Sequence, residues 1–322
     1  MASALAGTYW ENYGYIGELY TASRKETPFL SAIGYINEGI GGGKVTTNFE
    51  FPVANQYSLT AAAGTAITED ATKSAPGYVD HALTQYKNVC EIHYLGVEAT
   101  YVALATWGRI SGVATAGQVM TLDDLLAHKI MIRLAEIARN IEYRFLGVGS
   151  DYACSTDADV ANKTRGLIEC ASNASNTVAA GSIDLNKDLV QTLLRTMYAA
   201  GAQFVDPVII VNAFQKQKIS EIFGYAPTDR NIGGVDIKQI EIDLIGNVPV
   251  LLDPIQPTSV LTVADLGVCS PVFQQVPGKP LGIFYEEHGR TAAMISGQLF
   301  GMIGLDHGPY FAHGTITGLT TS

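Results

Sequence analysis

Charge is scarce in this chain. Only 16% of its 322 residues are Asp, Glu, Lys or Arg, against about 25% in an ordinary soluble protein. What charge there is leans acidic: 31 Asp and Glu against 20 Lys and Arg, a formal net charge of −11. No basic stripe interrupts that balance, which argues against tracking or reading nucleic acid directly. Long apolar runs are missing too. No uninterrupted stretch approaches the roughly 18 residues of a membrane-spanning helix. The first residues, MASALAGTYWENYGY, lack the basic and apolar regions of a signal peptide. Cysteine is sparse: Cys90, Cys154, Cys170 and Cys269 form no C-x-x-C pair. Reduced thiols are the expectation, with a Cys154–Cys170 bridge across a loop as the alternative. Apolar residues make up 47% of the chain, enough for a substantial core. Little charge on a chain with no membrane span implies that other subunits cover much of the surface.

The stretch GIGGGKV at 39–45 invites a phosphate-loop reading. That loop needs Gly, four residues, Gly-Lys and then Ser or Thr, between a strand and a helix. Here Glu38 stands in place of the first Gly and Val45 in place of the hydroxyl. The following VTTNFEF is rich in β-branched and aromatic residues, so it predicts a strand. No helix N-terminus is left to meet an anion. The stretch is read as a glycine hinge, because Gly tolerates φ > 0.

Residues 1–44 read as an arm containing SRKETPFLSAIG. Residues 45–106 read as a long β-hairpin: KVTTNFEFPVANQ runs out and YKNVCEIHYLGVEATYVALATW runs back. The tip, 61–78, is small and polar and contains Gly and Pro. Such a projection has little of its own to bury and needs a partner surface. A long helix is predicted over 122–146. Thr121 and Asp124 form a capping pair, and an apolar stripe follows at Leu122, Leu126, Ile130, Leu134, Ile137, Ile141 and Phe145. Gly147 closes it. Most of Lys129, Arg133, Glu136, Arg139, Glu142 and Arg144 fall off the stripe. Residues 154–181 read as loop around a short apolar GLIEC. Asp184 is the expected cap of a helix bearing Leu185, Leu189, Leu193 and Met197, closed by Gly201. PVIIVN at 207–212 reads as a strand buried on both faces, and Asn212 as the cap of a helix to Phe223. Strands are expected over 235–254, with a turn at Gly246-Asn247, and again at TSVLTVAD. The end, 280–322, reads as Gly-punctuated strands. Helix and strand do not alternate regularly, so the class is α+β.

A search for chemistry finds little. His307 and His313 lie six apart in DHGPYFAH without metal-site spacing. EEHG at 286–289 places its carboxylates on opposite faces of a strand. There is no nucleophile elbow and no dinucleotide fingerprint. No catalytic residue, metal or cofactor is expected, and the balance tilts toward a structural protein.

The order of parts is specific. ETPFLSAIG, the out-and-back hairpin, the helix ending LAEIARNIEYRFLGVGS, TRGLIEC and PVIIVNAFQKQKISEIF resemble the major capsid proteins of tailed bacteriophages with the Hong Kong 97-type fold. The nearest resemblance is to the SU10-like major head protein family, from about Arg24 to the C-terminus. NVCEIH departs from the family's usual Asn-x-x-Gln-Ile: Glu91 stands at the usual Gln.

The resemblance implies an N-terminal arm (1–44) and an extended loop (45–106) lying over a neighbouring subunit. It further implies a peripheral domain (107–183) with the spine helix, an axial domain (184–265) and a return to peripheral strands (266–322). Gly41, Gly42 and Gly43 then form the hinge between arm and loop. Glu91, and Arg139 with Glu142 in the Arg-x-x-Glu register, are the other assembly residues. Lys73, at the loop tip, is the lysine placed for a cross-link of the Lys–Asn type known in the type phage. The implied function is self-assembly into pentamers and hexamers of an icosahedral shell around double-stranded phage DNA. The implied setting is the virion, assembled in the bacterial host cytoplasm. No long helical extension precedes the arm, so the scaffolding protein is expected to be separate. A portal, a maturation protease and in some members a decoration protein complete the implied partners. An encapsulin-type compartment and an α+β enzyme or carbohydrate-binding protein are the alternatives.

Overall fold

The computed structural model describes residues 26–34, 43–57, 59, 67–75, 81–106, 125–149, 152–223, 229–232, 235–242, 245–289 and 292–321. The chain opens with a one-turn helix α1 (Pro28–Ala32), then β1 (Lys44–Thr46), β2 (Glu50–Gln56), β3 (Thr84–Val89) and β4 (Glu91–Thr100). Helices α2 (Tyr101–Thr106), α3 (Leu125–Leu146) and α4 (Leu167–Asn173) follow. Next come β5 (Thr177–Ala179), α5 (Lys187–Ala200), β6 (Pro207–Val211) and α6 (Ala213–Phe223). The remainder is all strand: β7 (Asp229–Ile232), β8 (Val235–Ile242), β9 (Gly246–Leu252), β10 (Leu261–Asp265), β11 (Ser270–Gln274), β12 (Phe284–Glu287), β13 (Met294–Asp306) and β14 (Gly314–Thr317).

These strands form a five-stranded sheet, a seven-stranded sheet and a two-stranded hairpin. The first is organised around β13, which pairs antiparallel with β11, β12 and β4; β1 joins it parallel to β11. The second runs β5-β14-β10-β6-β9-β8-β7. The continuous apolar run at β6 is buried on both faces, as its sequence predicts. Val208 and Ile210 enter one core with Phe29, Ile137, Ile141, Phe145, Leu251 and Ile303. Ile209 and Val211 enter another with Leu193, Met197, Ile219, Val250 and Ile316. The first core is enclosed between the long helix α3, the five-stranded sheet and one face of the seven-stranded sheet. The second lies under α5 and α6.

Several expectations hold in detail. α3 is a 22-residue helix, about 33 Å long at ~1.5 Å per residue. Its capping pair and residues 122–124 lie outside the described residues. Gly201 closes α5 with φ 104°, a conformation that costs glycine little. Asn212 Oδ1 accepts the Ala213 N–H at 2.6 Å at the start of α6.

Other expectations are corrected. The hairpin is only β2 with β3; the second half of the return strand leaves it as β4 and pairs with β13 over ten residues. YVALAT turns helical as α2, where Ala and Leu favour helix and no partner strand continues. GLIEC is a true helix, α4, with Leu167, Cys170 and Ala171 buried. The cap of α5 is Asn186, whose side chain accepts the Leu189 N–H at 2.8 Å; Asp184 sits 3.6 Å from Lys218 instead. The C-terminal segment does not return as one unit. β11, β12 and β13 join the five-stranded sheet, but β14 pairs with β10 and β5 in the other. Short β14 carries an apolar Ile316 that the second core buries, which decides its sheet.

Candidate functional site

The N-terminal helix α1 is too short to hold itself. Pro28 supplies the preset φ of a first helical position. Thr27, its cap residue, makes no side-chain cap bond. The caps come from elsewhere in the chain: Glu142, in the last turns of α3, accepts the Phe29 N–H at 2.8 Å on Oε1 and the Leu30 N–H at 2.7 Å on Oε2. Glu142 is fully buried, as are Phe29 and Leu30. Beside it lies a second buried carboxyl, Asp253, just after β9, in side-chain hydrogen-bond contact with Glu142. Asp253 Oδ1 accepts the Ile255 N–H at 2.8 Å, and its backbone N–H donates to Val211 at 2.9 Å. Burial above all raises the titration of both carboxyls; the hydrogen bond to Asp253, and then its charge, raise Glu142 further, while the same contact pulls Asp253 down. N-terminal helix, long helix and seven-stranded sheet thus meet on one carboxyl pair.

The root of the hairpin is fastened to the body by a second polar cluster. Asn88, fully buried at the end of β3, donates to Leu305 O at 2.7 Å and Arg165 O at 3.1 Å. Its Oδ1 accepts the Arg165 N–H at 2.8 Å. The Arg165 guanidinium covers the Tyr152 ring at 3.8 Å, bonds Glu169 at 3.1 Å and reaches the Tyr310 hydroxyl. Next to it Glu91 meets Arg144 of α3 at 3.1 Å and accepts the Thr164 N–H at 3.3 Å. Burial raises the Glu91 carboxyl against the lowering pull of Arg144. Lys44 of β1 pairs with Asp306, whose carboxyl is buried at the end of β13. These contacts fix where the hairpin leaves the body.

Beyond that root the hairpin is bare. Among its described residues Tyr57, Leu59, Ile67 and Leu83 are exposed apolar side chains. The outer face of β4 likewise exposes Ile92 and Tyr94, and the outer side of α3 exposes Met131. Against the exposed rest, Phe51 at the hairpin base packs with Cys90 and Val272.

The residues singled out by sequence separate into distinct places. Gly41 and Gly42 lie outside the described residues. Gly43 is close-packed: a Cβ there would stand 2.3 Å from the Phe273 ring. Lys73 is exposed in a 3-10 turn at Asp70–Lys73 and bonds Asp70 at 2.7 Å. Arg139 is exposed whereas Glu142 is inside, so the Arg-x-x-Glu register does not make a pair. Most of the charged residues of α3 fall off the apolar stripe by spacing; Glu142 is held inside by the two α1 amides. Leu134, expected in the stripe, is 37% exposed. Asp253 and Asn88 carry no short-motif signal, because their partners are distant in sequence or are backbone groups; Arg165 and Glu169, four apart across the start of α4, are the local pair the sequence did offer.

Nothing catalytic assembles among the described residues. His93, His307 and His313 are buried, and burial pushes His93 down to about 4 and His307 to about 3. His313 Nε2 donates to the His307 carbonyl at 2.6 Å, a packing contact. Glu286 pairs with Lys279 at 2.7 Å. Among the described residues no group of three or more His, Cys, Asp and Glu could hold a metal. No described helix is long and apolar enough to cross a membrane. All four cysteines are free, three of them buried.

The model of the SU10 major capsid protein family matches residues 4–320. The chain belongs to that family. Solved structures agree on the fold. A capsid asymmetric unit of cyanophage A-1(L) superposes with a TM-score of 0.60 at 13% identity, over 99% of each chain. Mycobacterium phage Cain gives 0.54 at 13% identity, over 95% of this chain and 96% of that one. The holo-SrpI encapsulin complex from Synechococcus elongatus gives 0.55 at 11% identity, over 87% and 86%. No curated protein matches the chain in sequence. The fold is the Hong Kong 97 type, and the chain is a structural subunit of a phage capsid shell.

Proposed function

We propose that the chain assembles into pentamers and hexamers of an icosahedral shell enclosing double-stranded phage DNA. In this reading residues 1–44 are the arm, 45–106 the extended loop, 107–183 and most of 266–322 the peripheral domain, and 184–265 the core of the axial domain. The observation that carries it is the β2–β3 hairpin, rooted by Asn88 yet exposing Tyr57, Leu59 and Leu83. Two strands in water are marginal alone, so a second copy supplies their missing cover. The sparse surface charge fits the same picture. An acidic chain without Lys and Arg clusters encloses DNA without gripping it. Gly41, Gly42 and Gly43 join arm to loop, and Lys73 at the tip reaches toward the neighbour. A separate scaffolding protein, portal and maturation protease complete the assembly pathway in the host cytoplasm, with a decoration protein on the mature virion.

The test is direct. Purified chain is passed over size exclusion and imaged by negative-stain electron microscopy. Closed particles with fivefold and sixfold clusters support the reading; a monomer or small oligomer under all assembly conditions contradicts it. DNA content after infection separates a phage head from a compartment holding enzyme cargo.

A further inference from the structure

Two fully buried carboxyls facing each other, with no cation between them among the described residues, are unusual, since burying two uncompensated charges is costly. Glu142 and Asp253 are both 0% exposed. Both Glu142 oxygens accept α1 amides, which suits the anionic form. Asp253 spends Oδ1 on Ile255, and among the described residues no donor reaches its buried Oδ2. A single proton on Asp253 Oδ2, donated to Glu142, satisfies that oxygen and halves the buried charge.

We propose that Glu142 and Asp253 share one proton, and that this proton is a latch fastening the N-terminal helix to the meeting point of the long helix and the seven-stranded sheet. Loss of the proton leaves two like charges in contact and releases the segment around Phe29 and Leu30.

The surroundings leave the proton as the compensating charge. From α1 the pair receives only the two backbone amides. Along α3, Arg139 is exposed and Arg144 is taken by Glu91. From β4, packed against α3, His93 is kept neutral by burial. Cys269, in the same buried cluster, is held as the thiol by burial. Asp265, the last residue of β10, spends its oxygens on the N–H groups of Val205, Asp206 and Gly267. The sign follows from the raised titration of both members. The folded pair binds more protons than the unfolded chain above the ordinary carboxylate range. The latch is therefore complete at low pH and is lost as pH rises through the folded value of the pair, whose titration belongs to both groups together.

The test is hydrogen exchange on the full-length subunit and on assembled particles, from about pH 5 to about pH 9, corrected for the intrinsic pH dependence. Protection of the peptide spanning 26–34 is expected to fall at high pH by at least about tenfold. Asp253→Asn, which supplies a permanent donor to Glu142, should keep that protection at all pH values. A wild-type response absent, or the same response in Asp253→Asn, overturns the proposal. A second measurement needs no variant: the infrared carbonyl band of a protonated carboxylic acid should be present at neutral pH and vanish on alkaline titration. Its absence at neutral pH overturns the shared proton.

Discussion

The Glu142 carboxylate receives the Phe29 N–H at 2.8 Å across 113 residues of sequence. A side chain near the end of the long helix thus performs the capping that Thr27 leaves undone. Glu142→Ala leaves two buried amides without acceptors, each costing about 1–3 kcal/mol. The expected result is a lower melting temperature of the unassembled subunit and cleavage by protease near residues 26–34. Unchanged melting and an intact N-terminal segment would show that the contact carries no weight.

Ile137→Asp is expected to abolish folding. Ile137 is 1% exposed in the core shared with Phe29, Ile141 and Phe145. An unpaired carboxylate there costs several kcal/mol, a large share of a domain's stability. Circular dichroism and thermal melting decide it, and wild-type values would place the stripe in solvent.

Acid should loosen the fold through its histidines. Burial lowers His93 from 6.5 to about 4, so below pH 6.5 the unfolded chain binds a proton that the folded chain refuses. Stability therefore falls as pH drops from 6.5 to 4, by roughly 3 kcal/mol from this residue. His93→Phe removes one of these titrations and should reduce the slope of the urea-midpoint profile over that window, with buried His307 and His313 supplying the remainder. An equal slope in the variant would assign the acid lability elsewhere. The carboxyl pair acts with the opposite sign, losing stability as pH rises, so the direction of the slope tells the two effects apart.

Legibility in the sequence followed the range of the interactions. The period of α3, the doubly buried β6, the Gly201 stop and the hairpin were readable because they arise within a few residues. The fates of β4 and β14 were not, since strand partners are chosen by register with β13 and β10, far along the chain. Glu142 looked like a surface charge for the same reason: its partners are backbone amides of the arm. Lys44 also changed meaning. In the sequence it belongs to the rejected phosphate loop and the glycine hinge, yet it pairs with buried Asp306, so its loss leaves a buried carboxylate without its cation. Gly43 was read as a flexible hinge; in place, its missing side chain makes room for Phe273.

The central claim is that the bare hairpin finds its cover on a second subunit, and deletion of the tip tests it most directly. Residues 61–78 are replaced by a short Gly-Ser turn, and the purified protein is melted and then imaged under assembly conditions. The hairpin root at Asn88 and both cores lie outside the deletion, so the subunit should melt within a few degrees of wild type. It should form no complete shells. Normal closed particles from the deleted protein would contradict the account.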